Sequence, residues 1–181
     1  MSAASRLIVW RGRLSGCPSG YRSWLRDRGS LTARLRRVCD AFRVQPLAQG
    51  LALPLPDERE RLQLKPRERA LVREVFLYCA EVPVVFAHSV AARRDLNGPW
   101  RRLSHLGVQP LGEALFTDPR VCRTPLEFSR LRPGDGLFCR ASARLAPRPP
   151  ELWARRSLFR LEGRLLLVTE VFLPGVLQLR P

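Results

Sequence analysis

The sequence predicts an α+β fold with a mainly antiparallel sheet, and three observations carry that prediction. Residues 153–174, WARRSLFRLEGRLLLVTEVFLP, read as a β-hairpin around a tight Glu162-Gly163 turn. Residues 71–80, LVREVFLYCA, are followed across a short turn by PVVFAHSVAA at 83–92, a second antiparallel pair. Between such pairs lie helical stripes, the clearest being Leu31, Leu35, Val38 and Phe42. Strands in adjacent pairs with helices between the pairs are the pattern of α+β rather than of alternating βαβ units.

Taken in order, residues 1–20 are rich in Arg, Ser and Gly and read as a loop or poorly ordered segment, leaving 21–181 as a single domain. Trp24 and Leu25 introduce a polar turn in which Ser30 is a good N-cap for the helix that follows. Four prolines and a charged run mark 46–66 as irregular, with room for one short strand near Leu51. In the 71–80 strand, Arg73 shares its parity with Leu71, Val75 and Leu77, and Glu74 shares the other with Val72, Phe76 and Tyr78. Asp95 caps a helix over 98–106, with Trp100, Leu103 and Leu106 on one face and Gly107 as its stop. PLGEALF at 110–116 is a short element, and 117–128, containing Arg123 and Glu127, reads as a strand. Residues 129–150, rich in Pro, Gly and Arg, read as an extended loop or an inserted hairpin.

The last strand is the informative one. Leu166, Val168, Glu170 and Phe172 fall on one face and Leu165, Leu167, Thr169, Val171 and Leu173 on the other, so both faces are apolar and the strand is central. Glu170 is then a carboxylate among dry neighbours, which needs a partner, a raised pKa or both. Arg73 poses the same question with opposite sign. The simplest resolution is that the two pair with each other and do nothing else. The functional resolution is a pocket with a cation at one end and a carboxylate at the other, since the planar fork of Arg grips a ligand carboxylate through both oxygens. Of Arg155 and Arg156, adjacent on a strand, one can face that pocket and the other solvent.

Net charge is +16 and Lys65 is the only lysine, so the basic excess is nearly all Arg. It is spread along the chain, with no aromatic RNA-binding strand and no helix-turn-helix, which makes a basic RNA-associated protein the lesser reading. Five cysteines at 17, 39, 79, 122 and 139, with no C-x-x-C pair, read as free thiols of a reducing cytosol. No signal peptide or membrane-spanning run is visible, so a soluble, cytoplasmic protein is expected. His88 and His105 are too few and too separated for a metal site. There is no serine elbow and no Gly-rich phosphate loop.

The hairpin, with WARRS, LEG and LLVTEVFLP in sequence, resembles the C-terminal signature of the chorismate pyruvate-lyases. Three further blocks agree in order: LVREVFLYC at 71–79, LGVQPLGEALF at 106–116 and WLRDRGSLT at 24–32. Together they span most of the chain from residue 24 onward. The resemblance implies an antiparallel sheet of about six strands, with helices and flap-like loops enclosing a buried ligand pocket. It implies cleavage of chorismate to 4-hydroxybenzoate and pyruvate, the first step toward the ubiquinone ring, without a cofactor and by a monomer. Arg73 falls on the family's carboxylate-binding arginine and Glu170 on the glutamate that meets the ligand hydroxyl and assists proton transfer. Leu31 and Leu111 fall on positions whose backbone N–H groups complete the carboxylate site. Two features depart from the family: the longer 129–150 segment, and His88 where an arginine is often found. The alternative is a non-catalytic, sensor-like domain of the same fold that binds a small aromatic acid.

Overall fold

The computed structural model describes residues 7–179, apart from the side chains of Arg102, Ser104, Glu113 and Ala114. Its centre is a seven-stranded sheet in the order β1-β2-β3-β7-β6-β4, with β5 pairing a second stretch of β6. All the pairings are antiparallel. The strands are β1 (Phe42–Ala52), β2 (Ala70–Cys79), β3 (Val82–Ala92), β4 (Cys122–Arg123), β5 (Glu127–Leu131), β6 (Leu152–Leu161) and β7 (Arg164–Phe172). The α-helices among the described residues are α1 (Ser19–Arg26), α2 (Leu31–Val38), α3 (Pro56–Arg61), α4 (Leu111–Thr117) and α5 (Gly136–Ala141).

The β6-β7 hairpin forms as its sequence dictates. Glu162 and Gly163 take φ of 50° and 77°, consecutive left-handed residues that match a two-residue turn to the twist of the strands. Leu161 then faces Arg164, and the register runs back to Trp153 opposite Phe172. β7 lies between β3 and β6, with neighbours on both edges.

Both faces of the sheet are covered, which explains the doubly apolar strands. On one face Val75, Leu77, Val85 and Phe172 pack under Trp24 and Leu25 of α1 and Leu31 and Leu35 of α2. Farther along that face, Leu71, Phe159 and Leu166 meet Leu111 and Leu115 of α4 and Trp100, Leu103 and Leu106 around the 3-10 turn Arg101–His105. On the opposite face Phe76, Phe86, Ala154 and Val171 pack against Leu137, Phe138 and Ala141 of α5. Ile8 joins that second cluster, and Arg11 exchanges backbone hydrogen bonds with Phe128, so residues from 7 onward are tied to the sheet. Residues 1–6 lie outside the described residues.

Several elements differ from the sequence reading. The stripe through Phe42 breaks at Val38: Cys39 is already extended, and Phe42 opens β1. The stretch 46–66 is not irregular, because β1 crosses Pro46 as an edge strand with a bulge before Ala48, and Pro56 starts α3. Residues 117–128 are not one strand: α4 runs through Thr117, β4 is two residues long, and β5 begins at Glu127. Within 129–150 there is no inserted hairpin but the end of β5 and then α5. Trp24 and Leu25 lead into the polar turn as read, but from the end of a helix, α1, that the sequence reading did not include. Cys39 and Cys79 are not free thiols; they form a disulfide across the end of β2, with Cα atoms 5.5 Å apart, and Cys17, Cys122 and Cys139 remain free.

Candidate active site

A small, partly enclosed cavity of about 50 Å³ lies between the first sheet face and helices α2 and α4. Pairing across the ladders fixes which strand side chains face it. Arg73 of β2 is opposite Ser89 of β3, which is opposite Val168 of β7. One step along, Val75, Ala87 and Glu170 align in the same way. Directly opposed residues point to the same side of a sheet, so Arg73 and Glu170 share one face.

They do not pair. Arg73 Nη2 donates to the carbonyl oxygens of Gly107 and Gln109 at 3.0 and 3.1 Å, and its buried Nε has no partner. Gly107 takes a left-handed φ of 51° in the turn after Leu106, which aims those carbonyls at the arginine. Burial pushes the Arg73 pKa below its usual value, and among the described residues no carboxylate is within ion-pair distance of it. An unpaired buried cation with a free donor is costly unless something anionic meets it.

Leu31 and Leu111 both line the cavity as first residues of α2 and α4. Ser30 caps α2 by accepting from the Ala33 N–H at 3.3 Å, which leaves the Leu31 N–H, at the first helical position, without an intrahelical acceptor. The two helix starts approach closely: a Cβ on Gly112 would stand 3.1 Å from Thr32 Oγ1 and 3.2 Å from Ser30 Oγ. Thus Arg73, Leu31 and Leu111 come together.

Glu170 is held by Arg155. Arg155 Nε donates to Glu170 Oε2 at 2.5 Å. Arg155 is fully buried; its Nη1 donates to the carbonyl oxygens of Trp24, at 2.9 Å, and of Asp27. The arginine therefore fixes the end of α1 and the carboxylate at once. Glu170 Oε1 takes no partner among the described residues, and Glu170 lines the cavity. Arg156 points to the opposite face, bonding Glu127 at 2.8 Å and Asp57 at 2.7 Å. Neither arginine is solvated, contrary to the sequence reading.

On that opposite face His88 is fully buried between two carboxylates, Nε2 2.9 Å from Glu58 Oε1 and Nδ1 3.0 Å from Glu74 Oε1. The Glu58 contact has ion-pair distance without hydrogen-bond alignment. Burial alone would lower the His88 pKa, but the two carboxylates overcome it and hold it up at about 9. Arg140 of α5 closes the chain on Glu74 at 2.7 Å. His88 is a core ion-pair residue and lies away from the cavity.

Sequence reasoning missed one charged cavity residue, Arg123, which β4 places opposite Phe159. Its only signal was an arginine within a predicted strand. No periodicity surrounds it because β4 is so short.

An α+β domain whose antiparallel sheet closes over a small pocket, with an unpaired cation at one end and an oriented carboxylate at the other, is a binding or catalytic site for a small organic anion. The chorismate lyase family model matches residues 8–179. A probable chorismate pyruvate-lyase of Nitrosospira multiformis is 51% identical over 97% of this chain and 98% of its own. One from Aromatoleum aromaticum is 54% identical over 90% of this chain and 89% of its own. The chain belongs to the chorismate lyase family. Among solved structures, PhnF of Mycobacterium smegmatis matches with a TM-score of 0.59 at 12% identity, over 83% of this chain and 66% of that one. The effector domain of PhnF from the same organism matches at 0.53, with 12% identity over 81% and 90%. These share the fold. No described helix is long and apolar enough to cross a membrane.

Proposed function

We propose that this protein converts chorismate to 4-hydroxybenzoate and pyruvate, without a cofactor, as the first step toward the ubiquinone ring in the cytoplasm, and does so as a monomer. The observation that carries the reading is the separation of Arg73 from Glu170: a buried arginine and a partly buried carboxylate on one sheet face, each held by other groups, line one cavity in a chain of this family.

The ring carboxylate of the substrate docks on Arg73, with the Leu31 and Leu111 N–H groups as further donors. Glu170 receives the ring hydroxyl at the other end through its free oxygen. In the reaction the hydrogen on the hydroxyl-bearing carbon leaves as a proton. Its electron pair forms the third ring double bond, and the adjacent C–O bond to the enolpyruvyl group breaks. The enolate takes that bonding pair and becomes pyruvate on protonation at carbon. Aromatisation drives this, so the protein needs only to hold the anion in the reactive conformation and assist one proton transfer. Arg155 keeps Glu170 oriented for that task.

The test is to mix the purified protein with chorismate and follow 4-hydroxybenzoate by absorbance, with Arg73→Ala and Glu170→Ala alongside and the folding of each checked. Product from the wild type, lost in both variants, is the expected result. Binding of 4-hydroxybenzoate without turnover would replace the lyase with a sensor-like domain.

A further inference from the structure

A dianionic substrate needs two anion sites, and the reading above, on which this inference rests, accounts for one. Arg123 is the second unpaired cation of the cavity. Its Nε donates to Ser157 Oγ at 2.8 Å and its Nη1 to the Arg28 carbonyl at 2.9 Å. These neutral acceptors orient the guanidinium without neutralising it. Its planar group lies 5.2 and 5.5 Å from the ring centroids of Phe159 and Phe116, aromatic walls that restrict it further.

No carboxylate of the described residues lies within ion-pair distance of Arg123, and its Nη2 has no partner among them. The carboxylates whose charge reaches it are Glu170 and Asp27. Both are already engaged, Glu170 by Arg155 at 2.5 Å and Asp27 by Arg34 at 3.2 Å. Arg123 therefore keeps a charge and a donor for something the chain does not supply.

Its placement says what that is. In the sheet, Arg73 stands on β2 and Arg123 on β4, with β3, β7 and β6 between them. Glu170 on β7 lies in that interval. A ring whose carboxylate sits at Arg73 and whose hydroxyl sits at Glu170 carries its enolpyruvyl ether on the carbon beside the hydroxyl, hence next to Arg123. The same residue lines an open groove on the other side, together with Arg13, Arg26 and Arg28. A groove lined by these arginines attracts an anion toward Arg123.

We propose that Arg123 binds the enolpyruvyl carboxylate of chorismate, and so distinguishes the substrate from 4-hydroxybenzoate, which has lost that carboxylate. As the C–O bond breaks, the same guanidinium faces the departing enolate and stabilises its charge.

The test separates the two ligands. Arg123→Gln removes the charge and keeps much of the shape. It should weaken chorismate, read as KM or as the dissociation constant by tryptophan fluorescence, about tenfold or more. The inhibition constant of 4-hydroxybenzoate should stay within about twofold, because that ligand makes no contact with Arg123. Arg123→Lys should recover part of the chorismate affinity. Equal weakening of both ligands would make Arg123 a wall of the cavity, and no weakening of either would remove it from the site; each result overturns the proposal. Should Arg123→Gln not fold, Arg123→Lys carries the test, with the methyl ester of the enolpyruvyl carboxylate as probe. The lysine change should then weaken chorismate several-fold more than the ester, and equal effects on both would overturn the proposal. Failure of the wild type to release product would overturn the lyase reading, whereas the two binding constants would still decide the role of Arg123.

Discussion

Arg155 Nε meets Glu170 Oε2 at 2.5 Å across the β6-β7 ladder, while Arg73, the cation that the sequence would most simply pair with Glu170, bonds two carbonyl oxygens instead. The consequence is a division of labour. One arginine orients the carboxylate, and the other is left to a ligand.

That division makes Glu170 and Arg155 fail differently. Glu170→Gln keeps a neutral acceptor for Arg155 but has no base to offer. Turnover should fall about 10²-fold or more with ligand binding reduced less, measured by 4-hydroxybenzoate release beside a 4-hydroxybenzoate titration. Near-normal turnover would show that the carboxylate moves no proton. Arg155→Met instead leaves Glu170 and the carbonyls of Trp24 and Asp27 without their donor. The loss of a buried partner costs about 3–5 kcal/mol, read in a urea midpoint.

Arg73→Ala should act on binding rather than on stability. The side chain has no carboxylate partner, and its removal takes away a buried charge along with its two hydrogen bonds. A charge-assisted contact is worth about 1.5–3 kcal/mol, so 4-hydroxybenzoate and chorismate should both weaken by roughly 10- to 150-fold. Isothermal titration checks this. A variant that binds 4-hydroxybenzoate normally would place the ring carboxylate elsewhere.

The opposite face predicts a pH dependence unrelated to catalysis. The folded-state pKa of His88, about 9, is above the ordinary value of 6.5 because Glu58 and Glu74 outweigh its burial. Its contribution to stability is therefore complete below about pH 6.5 and disappears as the pH rises through about 9. Glu58 and Glu74 are both lowered; burial opposes this, but His88 and Arg140 outweigh it. Their contribution is complete above the ordinary carboxylate range and is lost as the pH falls through their depressed values. Thermal unfolding across pH 4–10 should peak at mildly acidic to neutral pH, and His88→Gln should flatten the alkaline limb as well as lower the maximum. An unchanged alkaline limb would mean that His88 is neutral in the folded state.

What the sequence made legible was whatever repeats along a strand. The β6-β7 hairpin, the parity of Arg73 and the central place of Glu170 all follow from period-two alternation, and the structure keeps them. The β1 strand was hidden because Pro46 and the bulge after it look like a loop, and an edge strand tolerates both. Arg123 was hidden because a two-residue strand has no period. Partner choice was hidden too: alternation places Arg73 and Glu170 on one face but does not say that Arg155, directly opposite Glu170 in the ladder, arrives first. The family resemblance anticipated the pocket, and the fold supplies it through the starts of α2 and α4.

The Cys39–Cys79 disulfide overturns the expectation of free thiols, and it predicts a chemical count. Cys39 ends α2, the helix whose first turn lines the cavity, and Cys79 ends β2, the strand that carries Arg73. The bridge therefore ties together the two elements that supply the Leu31 N–H and the arginine, closing a loop of 40 residues. Alkylation of the denatured protein without reductant should modify three cysteines, and five after reduction, counted by mass spectrometry. Reduction should also lower stability by about 2–4 kcal/mol, since the unfolded chain regains the freedom that the cross-link removed. It should lower affinity for 4-hydroxybenzoate as well, because the α2 end of the cavity is then held by packing alone. Five modified cysteines before reduction would show that the sulfurs are neighbours without a bond, and the packing of Leu31 and Leu35 against the sheet would have to hold α2 unaided.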